Sequence, residues 1–170
     1  MSIQDWGAMG EIIGGLGVIV TLIYLGIQIR SNTTATLGAT ENAILRDARE
    51  IVTLSFKDRE STELFLKGSK NFGSLNDVER AMYTNRVSPF FLFWYDCFAQ
   101  NRNGLISQAL WETFAKDIPG LFSNPGFHDV WDLVRNSFPS DFQNYIDETA
   151  KKDASSSPNY LATRGDGSGQ

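Results

Sequence analysis

Cys97 and His128, the single cysteine and single histidine of this 170-residue chain, are the side chains best suited to covalent chemistry. A thiol beside an imidazole makes a nucleophile and its base. No motif brings these two together, and each has an ordinary role available: Cys97 as a small core residue, His128 as an exposed residue in the first turn of a helix. Asp96 sits amid Phe90, Phe91, Phe93, Trp94, Tyr95 and Phe98. A carboxylate buried there needs an arginine, with Arg86, Arg102 and Arg135 as candidates, and reads as a structural ion pair before a catalytic acid. Glu60 and Glu63 read as a solvated pair on one helix face near Lys67. There is no HExxH pair, no GxSxG elbow and no glycine-rich phosphate loop after a strand; Gly14-Gly15-x-Gly17 falls inside an apolar run. One Cys and one His exclude an internal disulfide framework and a Cys/His zinc site. No catalytic residue, cofactor or metal is assigned, and the expectation is a protein that is not an enzyme.

The carboxylate in the most unusual setting is Glu11, because the apolar run begins directly after it. Ile12 to Ile27 carries no charge. As a helix rising ~1.5 Å per residue, Trp6 to Ile29 spans roughly 36 Å, against a hydrocarbon core of ~30 Å. A signal peptide needs a basic leading segment, whereas Asp5 and Glu11 precede or open this run. A retained membrane anchor is expected, with Ser2 and Asp5 at capping-box spacing, the helix starting at Ile3 and Trp6 at the interface. No Lys or Arg precedes Arg30, and Arg30, Arg46 and Arg49 lie within about twenty residues of the run's end, so the body is expected in the cytoplasm and the N-terminus outside. A lone Cys kept reduced agrees with that side.

Within the run, Gly7, Gly10, Gly14, Gly17, Thr21, Tyr24, Gln28 and Asn32 repeat at spacings of three and four and share one ~100° arc of a helix. Association in lipid depends on close backbone approach and interhelical hydrogen bonds. The glycines permit the first; Thr21, Tyr24 and Gln28 supply the second. This face is expected to pack on another integral membrane protein or a second copy of the chain, the remaining Ile, Leu and Val meeting lipid. Glu11, about 40° outside the arc, has three available roles: reaching the headgroups, pairing with a partner's cation, or lining a shared pore.

The string GEIIGGLGVIVTLIYLGIQIRSNTTAT resembles the anchors of a family of short bacterial single-pass membrane proteins of unknown function, through Glu11, Leu22-Ile23-Tyr24-Leu25, Gln28, Arg30 and Asn32-Thr33. A looser similarity runs through Pro125, Gly126, Trp131, Phe138 and Phe142. The resemblance implies an anchored topology, in a bacterial inner membrane, with an all-helical body; it transfers no catalytic residue.

The body reads as helices throughout, with no convincing period-two segment, so the expected fold class is all-α: one N-terminal transmembrane helix and a small cytoplasmic helical bundle. Leu37, Ile44, Ala48 and Ile51 continue a helix to about Lys57-Asp58. A short helix is expected over 61–66, turns over 67–74, and then a long helix entered at Ser74 with Asp77 and left at Asn103-Gly104. Its aromatics make it the central helix, and Pro89 predicts a kink. Ser107 caps a helix carrying Leu110, Trp111, Phe114, Ile118 and Leu121. Asn124-Pro125 opens another, whose stripe Trp131, Val134, Phe138, Phe142 and Tyr145 breaks near Pro139. From Lys151 the composition turns to Ser, Gly and Asp, a flexible tail. The domain organisation is thus 1–30 anchor, 31–149 helical domain and 150–170 tail.

Twenty acidic against fifteen basic residues, net -5, argue against nucleic acid as a partner. The expected function is a non-enzymatic interaction or accessory subunit held in the membrane. A homo-oligomeric channel or sensor is the alternative, and a lipid- or ligand-binding module or enzyme using the aromatic helix a further one. A cavity beside Trp94 and Asp96 favours the last; a filled core there disfavours it.

Overall fold

A computed structural model describes residues 3–152, with side chains described for Glu11 and from Gly14 onward. Ser2 and the side chains of Asp5, Trp6, Gly7 and Gly10 therefore lie outside the described residues, as does the tail beyond Lys152. Among the described residues every regular element is helical and there is no strand. The chain divides into two compact units, Met1–Ala39 and Thr40–Gln170.

The first unit contains the N-terminal part of α1, which runs Ile3–Ser55. No proline interrupts it, and its threonines bond to their own backbone: Thr21, Thr33 and Thr34 donate their hydroxyls to the carbonyls of Gly17, Ile29 and Arg30 at 2.8, 3.0 and 3.0 Å. Every residue from Gly14 to Ile29 is exposed. Among the described residues α1 is the one helix long and apolar enough to cross a membrane, with nothing in its apolar window buried.

The second unit begins with the C-terminal part of α1 and continues through α2 (Arg59–Lys70), α3 (Asp77–Arg102), α4 (Gln108–Ala115), α5 (Asp117–Phe122), α6 (Pro125–Val134) and α7 (Ser140–Thr149). α3 packs on α2, α4 and α6. Its buried residues Tyr83, Val87, Phe91, Trp94 and Cys97 fall at spacings of four and three, one helical stripe. Around Phe91 the main core gathers Phe65, Phe122, Phe127, Trp131 and Phe142. A second cluster joins Ile44 of α1 to Cys97, Ile106 and Trp111.

Several boundaries differ from the sequence reading for identifiable reasons. α2 continues through Lys70 rather than ending near Leu66, because tertiary contacts hold its last turn. Lys67 Nζ donates to both carboxylate oxygens of Glu79, at 2.7 and 2.8 Å, and Gly68 lies under the Tyr83 ring, where a Cβ would meet Tyr83 Cδ2 at 2.4 Å. α3 is entered not at Ser74 but through a capping box of Asn76 and Glu79. The single helix expected over 107–121 is two, α4 and α5. Pro119 has no N–H for the Ala115 carbonyl, so the helix ends and restarts with Pro119 in the first turn. α3 is also not enclosed on all sides: Val78, Met82, Asn85, Leu92 and Asp96 form an exposed strip along it.

Close approach brings α2 and α6 together. A Cβ on Gly126 would lie 2.1 Å from the Gly68 carbonyl oxygen and 2.9 Å from the Tyr83 hydroxyl, so no larger residue fits without moving backbone. Beside this contact Tyr83 is fully buried and shares a 3.0 Å hydrogen bond with Ser69 Oγ; burial pushes its phenol pKa up.

Candidate functional site

The residues with the clearest covalent chemistry are kept apart. Cys97 is fully buried in the second cluster, and desolvation first, with the nearby Asp96 charge, pushes its thiol to about 12. At that value the thiolate is scarce at neutral pH and the thiol is inert. His128 is exposed on α6 and meets the Phe122 ring edge-on at 4.9 Å. Asp96 is exposed rather than enclosed by rings, and accepts a 3.4 Å hydrogen bond from Gln100. Two of the three arginines considered for it work elsewhere: Arg102 bonds to Asp141, and Arg135 to Asp147, whose other oxygen accepts Trp131 Nε1–H at 2.8 Å. Arg59, rather than Lys67, pairs with Glu63, while Glu60 is exposed. Among the described residues no group of three His, Cys, Asp or Glu is placed to hold a metal ion.

On α1, Gly14, Gly17, Thr21, Tyr24 and Gln28 fall at spacings of three, four, three and four on a continuous helix, hence on one face. Among the described residues nothing lies within 4 Å of where a Cβ on Gly14 or Gly17 would sit. The Thr21 proton is used on the Gly17 carbonyl, which leaves its oxygen as an acceptor only. Tyr24 and Gln28 are exposed, as is Glu11.

An apolar pocket of about 320 Å³ lies beside Trp94 in the second unit, on the aromatic helix that the sequence offered for ligand binding, though Asp96 does not line it. The C-terminal part of α1 contributes Ala48, Ile51 and Val52, and Phe56 follows it. Phe65 comes from α2, Phe90, Phe93 and Trp94 from α3, Phe114 from α4, and Asp117 and Leu121 from α5. Among the described residues Asp117 is the only charged one lining it. The carboxylate is brought there by the Pro119-induced restart, which makes it the first residue of α5. Desolvation pushes its pKa up, with no neighbouring charge contributing.

The wall of that pocket is fastened by a contact from α1. Ser107 caps α4 by accepting the Leu110 N–H at 3.3 Å, but Leu110, where a capping box has Glu or Gln, offers no carboxylate in return. Glu41 supplies it from α1, its Oε1 accepting the Ser107 N–H at 2.9 Å. The bonds from Ser107 hold the Glu41 carboxyl below its ordinary value. A second recess, of about 520 Å³, is bordered by Ser55, Lys57, Asp58, Ser61, Asn85 and Arg86 among others. Arg86 Nη1 is buried without a hydrogen-bond partner, and the Asp58 carboxylate there is engaged by the Ser61 N–H at 2.7 Å.

Compared with protein-family models, with curated proteins and with solved structures, the chain matches none.

Proposed function

We propose that this chain is a single-pass protein of a bacterial inner membrane, with its N-terminus outside and its helical body in the cytoplasm. It works without catalysis, as an interaction or accessory subunit. The observation that carries this reading is the uncharged helix over 14–29, exposed at every residue. Apolar surface of that extent in water marks a membrane or partner contact, and a helix satisfies its own backbone in lipid. The absence of Lys and Arg before Arg30 supports the orientation. The Gly14, Gly17, Thr21, Tyr24 and Gln28 face packs on another integral membrane protein or on a second copy. Glycine opens the close approach, and Tyr24 and Gln28 donate across it.

Crosslinking tests this directly, because native Cys97 is buried and leaves an introduced thiol as the reactive one. Gly17→Cys in native membranes is expected to crosslink to one protein, and Ile19→Cys, on the opposite side of the helix, is not. Release of the chain by alkaline carbonate would refute the anchor. Equal crosslinking from both positions, or none from Gly17, would refute the packing face. A second copy as the captured partner would direct the next measurement to ion flux and its dependence on Glu11.

A further inference from the structure

The apolar pocket contains a charge that the protein leaves unanswered. Asp117 makes no hydrogen bond or ion pair with any described residue. Its chain neighbour Lys116 is exposed and forms no salt bridge with it. Phe90, Phe93, Trp94 and Phe114 line the same pocket, with Phe93 and Phe114 edge to face at 4.8 Å. Phe56 and Phe65, also edge to face at 5.0 Å, complete the aromatic wall.

These groups discriminate among occupants by charge. A fatty acid would place its carboxylate against Asp117 and be repelled. A neutral hydrocarbon would strip further water from Asp117 and return nothing, which is costly for a charged group. A ligand with an ammonium centre restores a counter-charge to Asp117, while ring faces attract the same cation. Its apolar body displaces water from Ile51, Val52 and Leu121. At about 320 Å³ the space is at the small end of small-molecule sites, which run from roughly 300 to 1,000 Å³.

We propose that this pocket is a binding site for an organic ammonium ion with an apolar body, Asp117 being the counter-ion and the Phe90, Phe93, Trp94 and Phe114 rings the cage. The site is independent of whether α1 crosses a membrane, and its failure would leave the anchor reading untouched.

The test is calorimetric titration of the full chain in a mild non-ionic detergent with benzyltrimethylammonium. Benzyl alcohol serves as the neutral comparison and 3-phenylpropanoate as the anionic one. Saturable one-to-one binding of the cation is expected, at least about tenfold tighter than either comparison. Asp117→Asn should weaken it about tenfold or more, and Asp117→Glu should retain part of it. Ala48→Phe, which fills the pocket from the α1 side and leaves Asp117 in place, should abolish it. That variant and the ligand series decide the matter even if Asp117→Asn does not fold. Absence of saturable binding overturns the proposal. So does equal affinity for benzyl alcohol, equal affinity in folded Asp117→Asn, or unchanged binding in Ala48→Phe.

Discussion

Residues 87–98 of α3 and 16–29 of α1 are both rich in apolar side chains, and their surroundings are opposite. In α3, Val87, Phe91, Trp94 and Cys97 are 0–2 % exposed, whereas the large apolar residues from Leu16 to Ile29 are 46–66 % exposed. Their chemistry differs accordingly. Half of the α3 segment is aromatic, and its rings are held by named partners, Phe91 against Trp131 at 5.1 Å and Phe98 against Tyr145 at 5.3 Å. The α1 segment is mostly aliphatic, with Gly17 and Gly26 among its residues, and no described side chain covers it. A ring needs a specific neighbour to interlock with, while Ile, Leu and Val are equally content against lipid tails. The residue types thus distinguish surface packed in a protein core from surface that no described residue covers.

The largest effect expected from breaking this contrast is in α3. Phe91→Ala removes a ring from the centre of the core and should cost about 3–5 kcal/mol of unfolding free energy, measured by chemical denaturation of the full chain in detergent. Ile19→Ala should leave that value within about 0.5 kcal/mol. A comparable loss at Ile19 would mean that α1 has a core of its own after all.

Charge insertion reverses the order of sensitivity. Ile19→Lys places an ammonium in the middle of the run, costing about 2.5–3.5 kcal/mol of insertion free energy, and should move protein from the membrane to the soluble fraction. Leu92→Lys, on the exposed strip of α3, should change neither stability nor fractionation appreciably. Unaltered membrane association of Ile19→Lys would count against the anchor reading.

The same contrast explains what the sequence disclosed. Helix positions follow from local chemistry and were legible: the long α3, the Ser107 cap, Pro125 opening α6 and the break near Pro139 all appear in the structure. Periodicity shows which face of a helix is apolar, not what covers it. The Gly68–Gly126 approach, the Asp147 bridge to Trp131 and Arg135, and the reach of Glu41 to Ser107 join residues distant in sequence and left no local mark. Asp117 was hidden in another way. Its importance comes from the helix break at Pro119, which turns a residue read as mid-helix into the lip of a pocket. Asp96 shows the converse, since its ring-rich neighbours in sequence left burial open and the helix turn places it on the exposed strip.

A smaller effect is expected where α1 meets the body. Glu41→Ala removes the acceptor of the Ser107 N–H and should cost about 1 kcal/mol, the usual value of a cap. Glu41 has a lowered carboxyl in the folded chain, so its contribution is present above the unfolded value of about 4.5 and is lost as pH falls through the folded one. Glu41→Gln keeps an oxygen for the N–H and removes the titration. Stability measured from pH 7 down to 3 should therefore fall less steeply in Glu41→Gln than in the natural chain.

Asp117 should show the smallest effect, with the opposite sign. Its folded value is raised above the ordinary 3.8 by desolvation, so on raising the pH the unfolded chain loses this proton first. Stability is then full below about 3.8 and declines as pH rises through the folded value. Asp117→Asn should abolish that decline and be slightly more stable than the natural chain at neutral pH, provided it fills the same space. Saturating benzyltrimethylammonium separates the two carboxylates further. A cation bound at Asp117 favours its ionised form, so stabilisation by the ligand should grow with pH across the same interval, in the natural chain and in Glu41→Gln alike, but not in Asp117→Asn. A ligand effect independent of pH would show that the pocket binds apolar bulk and that its one carboxylate is a bystander.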